Sequence, residues 1–419
     1  MRFILQKYQL LLFFFGMIFF SGYAQKEITT TEVLLGAQHI EQVQFDSIQV
    51  AFLKNYNHNL PLIDNVELRS ETRDLLLRRQ EYAIRVKPNS LRAVLAKKQV
   101  YTSKINEVEI QGRIHFNEEL EDRYNFLVDY IFNEKLRTAY EERKIQLQDK
   151  LTILEHTVYD ENFDVRDVVD SEEELFKVEL VLLGLKEDQT YQNAVLSLMV
   201  GESTNAIYLK SSDVITATQI LATTLEENTS QDNLEIQLRQ SKLTTIESEM
   251  ELDVAKSKKI IDFVEAKYGG KNSVFFDENF AIGVGINLPF FGNTREKRSD
   301  HYFDKLLTES EIIALKNEQE KDHKSADEDF RRTAMKYQIF KDQAANSSVS
   351  SLLEIYKKIE GVSPLILLKL KMSEHNKKID ILKLEHELYE KYIKMLVSKN
   401  VLFQTPFTNY LITNSSLRD

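Results

Sequence analysis

The chain contains no cysteine, which excludes disulfides and thiolate metal sites and leaves no redox signature. Glycine and proline are also scarce, 12 and 5 in 419 residues, well below ordinary usage. A chain this poor in turn formers, and rich in Leu, Ile, Glu and Lys, reads as long helices in an elongated body. Beyond the N-terminal region no run reaches 18 consecutive apolar residues, so the sequence offers no later transmembrane helix. Membrane entry would then require strands closed into a barrel. Basic charge is lacking too: the net charge is −12 and no basic stripe offsets it, which argues against nucleic acid as a partner.

What is present begins with a targeting signal. Arg2 and Lys7 precede an apolar run from Leu10 to Phe20 that only Gly16 interrupts, and Gly22-Tyr23-Ala24 is a small-x-small ending. Residues 1–24 therefore read as a secretory signal cleaved after Ala24. The run is short for a retained anchor of about 20 residues. No cysteine follows it, so no lipid attachment is expected there.

The clearest periodicity lies near the C-terminus. Leu365, Leu368, Met372, His375, Ile379, Leu382, His386, Tyr389, Ile393 and Leu396 alternate spacings of three and four. That order makes an a/d seam, so this helix should pack lengthwise on another. Further helical stretches run from about Leu91 to Val158 and from about Thr294 to Lys358. Each could reach roughly 95–100 Å at about 1.5 Å per residue.

The chain also repeats itself. Tyr82-Ala83-Ile84-Arg85-Val86 echoes Phe280-Ala281-Ile282-Gly283-Val284 at an offset of 198, and Lys97 falls on Arg295 at the same offset. Tyr159 falls on Tyr356 at 197. Upstream, Asn65-Val66-Glu67-Leu68 echoes Asn233-Leu234-Glu235-Ile236 at only 168, which implies about 30 extra residues in the second copy. The organisation expected is an N-terminal segment 25–64, a first helical repeat 65–201 with a reduced strand region, and a Ser/Thr-rich connector 202–232. A second repeat 233–400 and a tail 401–419 follow.

The second copy holds the only hairpin evident in the sequence, at about 260–291. Phe280, Ile282, Val284, Ile286, Leu288 and Phe290 alternate with Ala281, Gly283, Gly285, Asn287 and Pro289. One face is apolar and the other small or polar, over the length needed to cross a membrane as a tilted strand. Ile260 to Tyr268 is its expected partner, with Gly269-Gly270-Lys271-Asn272 as the turn.

This combination resembles the TolC family of outer-membrane efflux channels. The resemblance rests on the signal, the duplicated unit of roughly 200 residues, and the run Val284-Gly285-Ile286-Asn287-Leu288-Pro289-Phe290-Phe291-Gly292-Asn293-Thr294-Arg295. In that family a strand leaves the barrel through such a run and enters a long helix. Asn59-Leu60-Pro61-Leu62 resembles the family's helix start. Tyr356, Gly361, Val362 and Ser363, with Pro364 at a permitted first-turn position, resemble its periplasmic turn. Tyr159, Asn162 and Phe163 stand at the matching place in the first copy.

The resemblance implies a mainly α fold with a small β part: long coiled-coil helical hairpins in a duplicated unit plus membrane β-hairpins, joined as the α/β-barrel of a homotrimer. It also implies a periplasmic adaptor and an inner-membrane pump as partners, outer-membrane lipid around the strands, and passive export as the function. The reduced first copy, with Arg85 and Lys87 where the second has Gly283 and Gly285, leaves a soluble periplasmic coiled-coil scaffold as the alternative.

Reactive chemistry is not evident. None of the eight histidines sits in an HExxH pattern, and His375 and His386 fall in the a/d seam, where packing accounts for them. No nucleophile elbow and no glycine-rich loop opening a helix occur, so no catalytic residue, cofactor or metal is expected. Asp164, Asp167 and Asp170 follow the first-copy turn at intervals of three. They read either as favourable charge at a helix N-terminus or, if repeated threefold, as an acidic ring at a tunnel entrance.

Overall fold

The computed structural model describes residues 26–56, 61–72, 80–159, 163–201, 207–210, 214–222, 233–269, 280–287, 294–359, 361–402 and 407–412. The signal segment, Asn59, Asn162, Leu288, Phe290 and the hairpin turn after Gly269 lie outside these residues. Among those described, no helix is long and apolar enough to cross a membrane.

The elements are β1 (Lys26–Ile28), α1 (Thr30–Leu35), α2 (Glu41–Asn55), β2 (Ile63–Thr72), β3 (Gln80–Pro88), α3 (Leu91–His156) and α4 (Val165–Val200). They continue with β4 (Ile207–Leu209), α5 (Ala217–Ala222), α6 (Leu234–Ser257), β5 (Ile261–Gly269) and β6 (Phe280–Ile286). The last are α7 (Thr294–Ala345), α8 (Ser348–Tyr356) and α9 (Pro364–Ser398). The 66-residue α3 matches the stretch expected from Leu91. The stretch expected from Thr294 does not run unbroken. It stops at Ala345, and Ser347 starts α8 by accepting a hydrogen bond from the Val349 amide at 3.3 Å. A serine that offers the backbone an alternative partner at a helix start favours such a break.

The chain divides into two compact units, 1–40 with 116–231 and 322–419, and 41–115 with 232–321. In the first, one apolar cluster joins Leu120, Tyr124 and Phe132 of α3 to Leu388, Tyr389, Tyr392 and Ile393 of α9. The ten seam positions of α9 are all buried or half-buried, which bears out the lengthwise packing. Smaller clusters extend that packing, as where Leu147 and Val178 meet Leu368 and Met372.

Arg123 sits at the ends of two helices in this unit. Its Nη1 donates to Val33 O at 2.5 Å and to Met199 O at 3.0 Å, and its Nε donates to Glu119 at 2.7 Å. Both carbonyls lie in last turns, of α1 and α4, where a helix lacks its own donors and favours a cation. A β-carbon at Gly36 would meet both that guanidinium and Met199 O at 2.7 Å, so the position needs glycine. Tyr124 hydroxyl donates to Thr408 O and accepts from the Tyr410 amide, and burial pushes its phenol pKa up.

In the second unit α3 and α6 meet through small residues. Ala93, Ala96 and Val100 pack on Leu252 and Ala255, and Ser241 donates to Ser103 O at 3.3 Å. Ion pairs flank α6: Arg92 to Glu251 at 3.2 Å, and Lys305 of α7 to Glu247 at 2.6 Å. The Glu247 carboxylate raises the Lys305 pKa.

This unit also carries a four-stranded antiparallel sheet in the order β2-β3-β5-β6. It corrects the reading of a reduced first copy. β2 pairs with β3 from Asn65↔Lys87 to Thr72↔Gln80, so the first copy has a full hairpin. The upstream echo joins unlike elements: Asn65–Leu68 lie in a strand, whereas Asn233 caps α6 and Leu234–Ile236 begin it. A four-residue echo of mixed apolar and polar residues fits either a strand or a helix start. The better match is Ile63-Asp64-x-Val66-Glu67-x-Arg69 with Ile261-Asp262-x-Val264-Glu265-x-Lys267. Its offset is 198, the one that already separates Tyr82 from Phe280, so no 30-residue insertion remains. The ladder slips at the same place in both hairpins, between Ile63 and Asn65 and between Ile261 and Phe263, leaving Asp64 and Asp262 at the irregularities.

Candidate functional site

Register decides what each face of this sheet presents, because side chains alternate along a strand. One row across the four strands is Val66, Val86, Val264 and Val284, and the next on that face is Leu68, Ile84, Ala266 and Ile282. A third is Ser70, Tyr82, Tyr268 and Phe280. Among the described residues nothing covers this face: Leu68 is 80% exposed, Ile282 72% and Val284 57%. The expected strand residues Phe280, Ile282, Val284 and Ile286 all lie on it.

Rows of the opposite face are Glu67, Arg85, Glu265 and Gly283, then Arg69, Ala83, Lys267 and Ala281. Here the charges are paired. Arg85 Nη2 meets Glu265 Oε2 at 2.6 Å, and Lys267 Nζ meets its other oxygen at 3.2 Å. Glu67 is held by Arg69 at 3.0 Å and by Lys87. Each hairpin thus contributes one glutamate set between two cations, with Arg85 of β3 reaching Glu265 across from the first hairpin. The Arg85 guanidinium also lies 3.8 Å above the Phe263 ring, a cation–π arrangement. Gly285 stands opposite Phe263, and a β-carbon there would run into that ring. Arg85 and Lys87, which set the first copy apart in sequence, are therefore members of the charged face.

The sequence reading missed this ladder of Glu67, Arg69, Lys87, Glu265 and Lys267. The signal that could have found it is the Ile-Asp-x-Val-Glu-x-basic pattern repeated at 198. Strands β2 and β6 each leave an outer edge unpaired among the described residues.

The turn residues fall at a second place. Gly361 has φ +82°, a conformation that favours glycine. Val362 is half-buried, Ser363 precedes Pro364 at the first position of α9, and Tyr356 ends α8. Tyr159 is 97% exposed just past α3, and Phe163 is half-buried before α4. Ile355, Ile359 and Ile366 are also exposed around these turns. Asp164 caps α4, accepting from the Arg166 amide at 2.9 Å, and Asp167 accepts from Lys369 at 3.3 Å. Asp170 is exposed. Two of the three aspartates therefore serve the helix start or an ion pair.

The histidines of the α9 seam are engaged in contacts. His375 Nε2 hydrogen-bonds Ala139 O at 2.6 Å, and His386 Nε2 lies 2.9 Å from Asp129. Among the described residues these elements present three surfaces: an apolar sheet face, a charged one, and an exposed turn region.

Solved structures share this architecture. The chain aligns with the outer-membrane channel OprN at a TM-score of 0.67 and 9% identity, over 89% of this chain and 90% of that one. It aligns with the outer membrane protein VceC of Vibrio cholerae at 0.63 and 11%, over 90% and 97%. With the CmeC outer membrane channel of Campylobacter jejuni the values are 0.62 and 10%, over 88% and 85%. No protein-family model matches the sequence, and no curated protein matches it. The chain has the fold of the TolC-type outer-membrane channels, with helical hairpins and a small sheet part. At these identities the likeness is one of fold.

Proposed function

We propose that this chain is the outer-membrane channel component of a tripartite efflux or secretion system, a passive export conduit whose energy comes from its partners. The two-faced sheet carries the reading. An apolar face this exposed needs a partner of low polarity, and a charged face on the other side suits a water-filled lumen. That alternation is what a membrane barrel requires of its strands, which must satisfy every backbone group by closing on themselves. Four strands do not close, and three copies of the four-stranded sheet supply twelve. A homotrimer is also favoured by exposed apolar side chains on helices, such as Phe176, Leu180 and Leu183 on α4 and Phe303, Leu306 and Ile313 on α7.

In this reading Phe280, Ile282, Val284, Ile286, Leu288 and Phe290 face outer-membrane lipid. Tyr356, Gly361, Val362 and Ser363, with Tyr159, Asn162 and Phe163, form the periplasmic tip that meets an adaptor and, through it, an inner-membrane pump. No residue needs to make or break a bond. The full first-copy hairpin removes the feature that favoured a soluble scaffold. The test is fractionation with native mass measurement. A trimer in the outer membrane that shows heat-modifiable migration is expected; recovery only in the soluble periplasmic fraction would overturn the reading.

A further inference from the structure

We propose that Asp129 of α3 and His386 and Glu390 of α9 form a binding site for a divalent transition-metal ion, with zinc as the reference cation. Among the described residues these are the three imidazole and carboxylate groups whose ligand atoms converge, all within 4.8 Å of one another. His386 Nε2 lies 2.9 Å from Asp129 Oδ1 and 3.9 Å from Glu390 Oε1. Zinc takes nitrogen and oxygen ligands at about 2.0–2.2 Å, which in a tetrahedron sets neighbouring ligand atoms about 3.4 Å apart. The two observed distances bracket that value and the third, between the carboxylates, is no more than 4.8 Å, so side-chain rotation can bring all three ligand atoms around one ion.

The surroundings suit a cation. His386 and Glu390 are four apart on one helix and share a face. Phe132 stacks on the imidazole, ring centroids 5.0 Å apart and planes 18° from parallel, which fixes the ring plane. Each carboxylate has His386 as its ion-pair partner among the described residues, with neither Lys nor Arg beside it. The nearby Lys135 is directed to Glu385 at 3.6 Å instead. Both carboxylate side chains are about half exposed, so an ion can enter from solvent, and water completes the coordination. An imidazole with two carboxylates suits zinc and its first-row neighbours better than the all-oxygen set that calcium or magnesium prefers. The bound ion would tie α3 to α9, a coupling the channel reading neither needs nor predicts.

Titration of the metal-stripped full chain with zinc chloride, followed by calorimetry, tests the site. One ion per chain with micromolar affinity is expected. His386→Ala should abolish binding, and Glu390→Gln, at an exposed position that does not endanger folding, should weaken it at least tenfold. His39→Ala, at an exposed histidine elsewhere, should leave it unchanged. Cobalt(II) bound in place of zinc should show visible absorption bands of low-coordinate N/O ligation. No saturable binding by 100 μM zinc (about tenfold above a Kd of about 10 μM), or binding that survives either His386→Ala or Glu390→Gln undiminished, overturns the proposal.

Discussion

Arg123 shows how single side chains here do the work of several turns. One guanidinium answers the open carbonyl ends of α1 and α4 and a glutamate of its own helix, so a charge that burial would penalise is fully partnered. Glu121, two residues away and half-buried, has no such compensation among the described residues. Burial pushes its carboxyl pKa up, and the neighbouring Asp122 and Glu118 push in the same direction. A raised folded-state pKa means the folded chain binds that proton more tightly than the unfolded one. Its contribution to stability is therefore present below the unfolded pKa and lost as pH rises through the folded pKa. Glu121→Gln, which mimics the protonated form, should raise the unfolding midpoint at pH 7 and change it little at pH 4. Urea unfolding at the two pH values reads this directly, and an equal shift at both would contradict the assigned cause.

At the scale of the element, the hairpins make the sharpest claim, because neighbouring residues should respond oppositely to the same charge. Ile282 stands on the apolar face and is largely exposed, whereas Gly283 stands beside Glu265, where an added β-carbon makes only ordinary contact at 3.9 Å. Lysine on the lipid face of a barrel costs about 2–4 kcal/mol near the midplane, while lumen positions accept it. Ile282→Lys should thus lose the heat-stable oligomer from the outer membrane, and Gly283→Lys should keep it; semi-denaturing electrophoresis distinguishes them. The long helices and the β6 strand were legible in the sequence because each repeats one period many times. The first hairpin was not. Its alternation puts charged residues in the order Glu67, Arg69, Arg85 and Lys87 on one face, and charge runs read as solvated surface unless pairing is known. The break at Ser347 was hidden for another reason: no glycine or proline marks it, and a serine cap is a weak signal by itself. Among the candidate turn residues Gly361 was legible by its type, while the Glu67 and Glu265 pairs needed register, which only the ladder supplies.

Two consequences belong to the scale of the whole molecule, because both follow from the threefold repetition proposed for the channel. One concerns the entrance. If Asp164, Asp167 and Asp170 form a ring around a tunnel mouth, the exposed Asp170 should carry most of the effect, because Asp164 caps α4 and Asp167 is engaged by Lys369. Replacing all three by asparagine should lower cation selectivity in planar-bilayer recordings; unchanged reversal potentials would sink the ring. The other concerns closure. A sheet with two open edges invites pairing with a further strand, and the edges on offer are β2 and β6. The absence of cysteine makes closure measurable without background. Within one chain β2 and β6 are separated by two strands, so their backbones lie roughly 14 Å apart at about 4.8 Å per strand. A disulfide needs α-carbons within about 7 Å, so an intrachain bridge between them is geometrically excluded. Leu68→Cys combined in turn with Phe280→Cys, Ile282→Cys and Val284→Cys samples three registers of β2 against the next copy's β6. Oxidation of membranes should yield covalent dimers and a closed trimer for at least one pairing. Monomer alone at every register would refute closure by these edges, and a ladder extending past three would mean that the ring closes with a different number of copies.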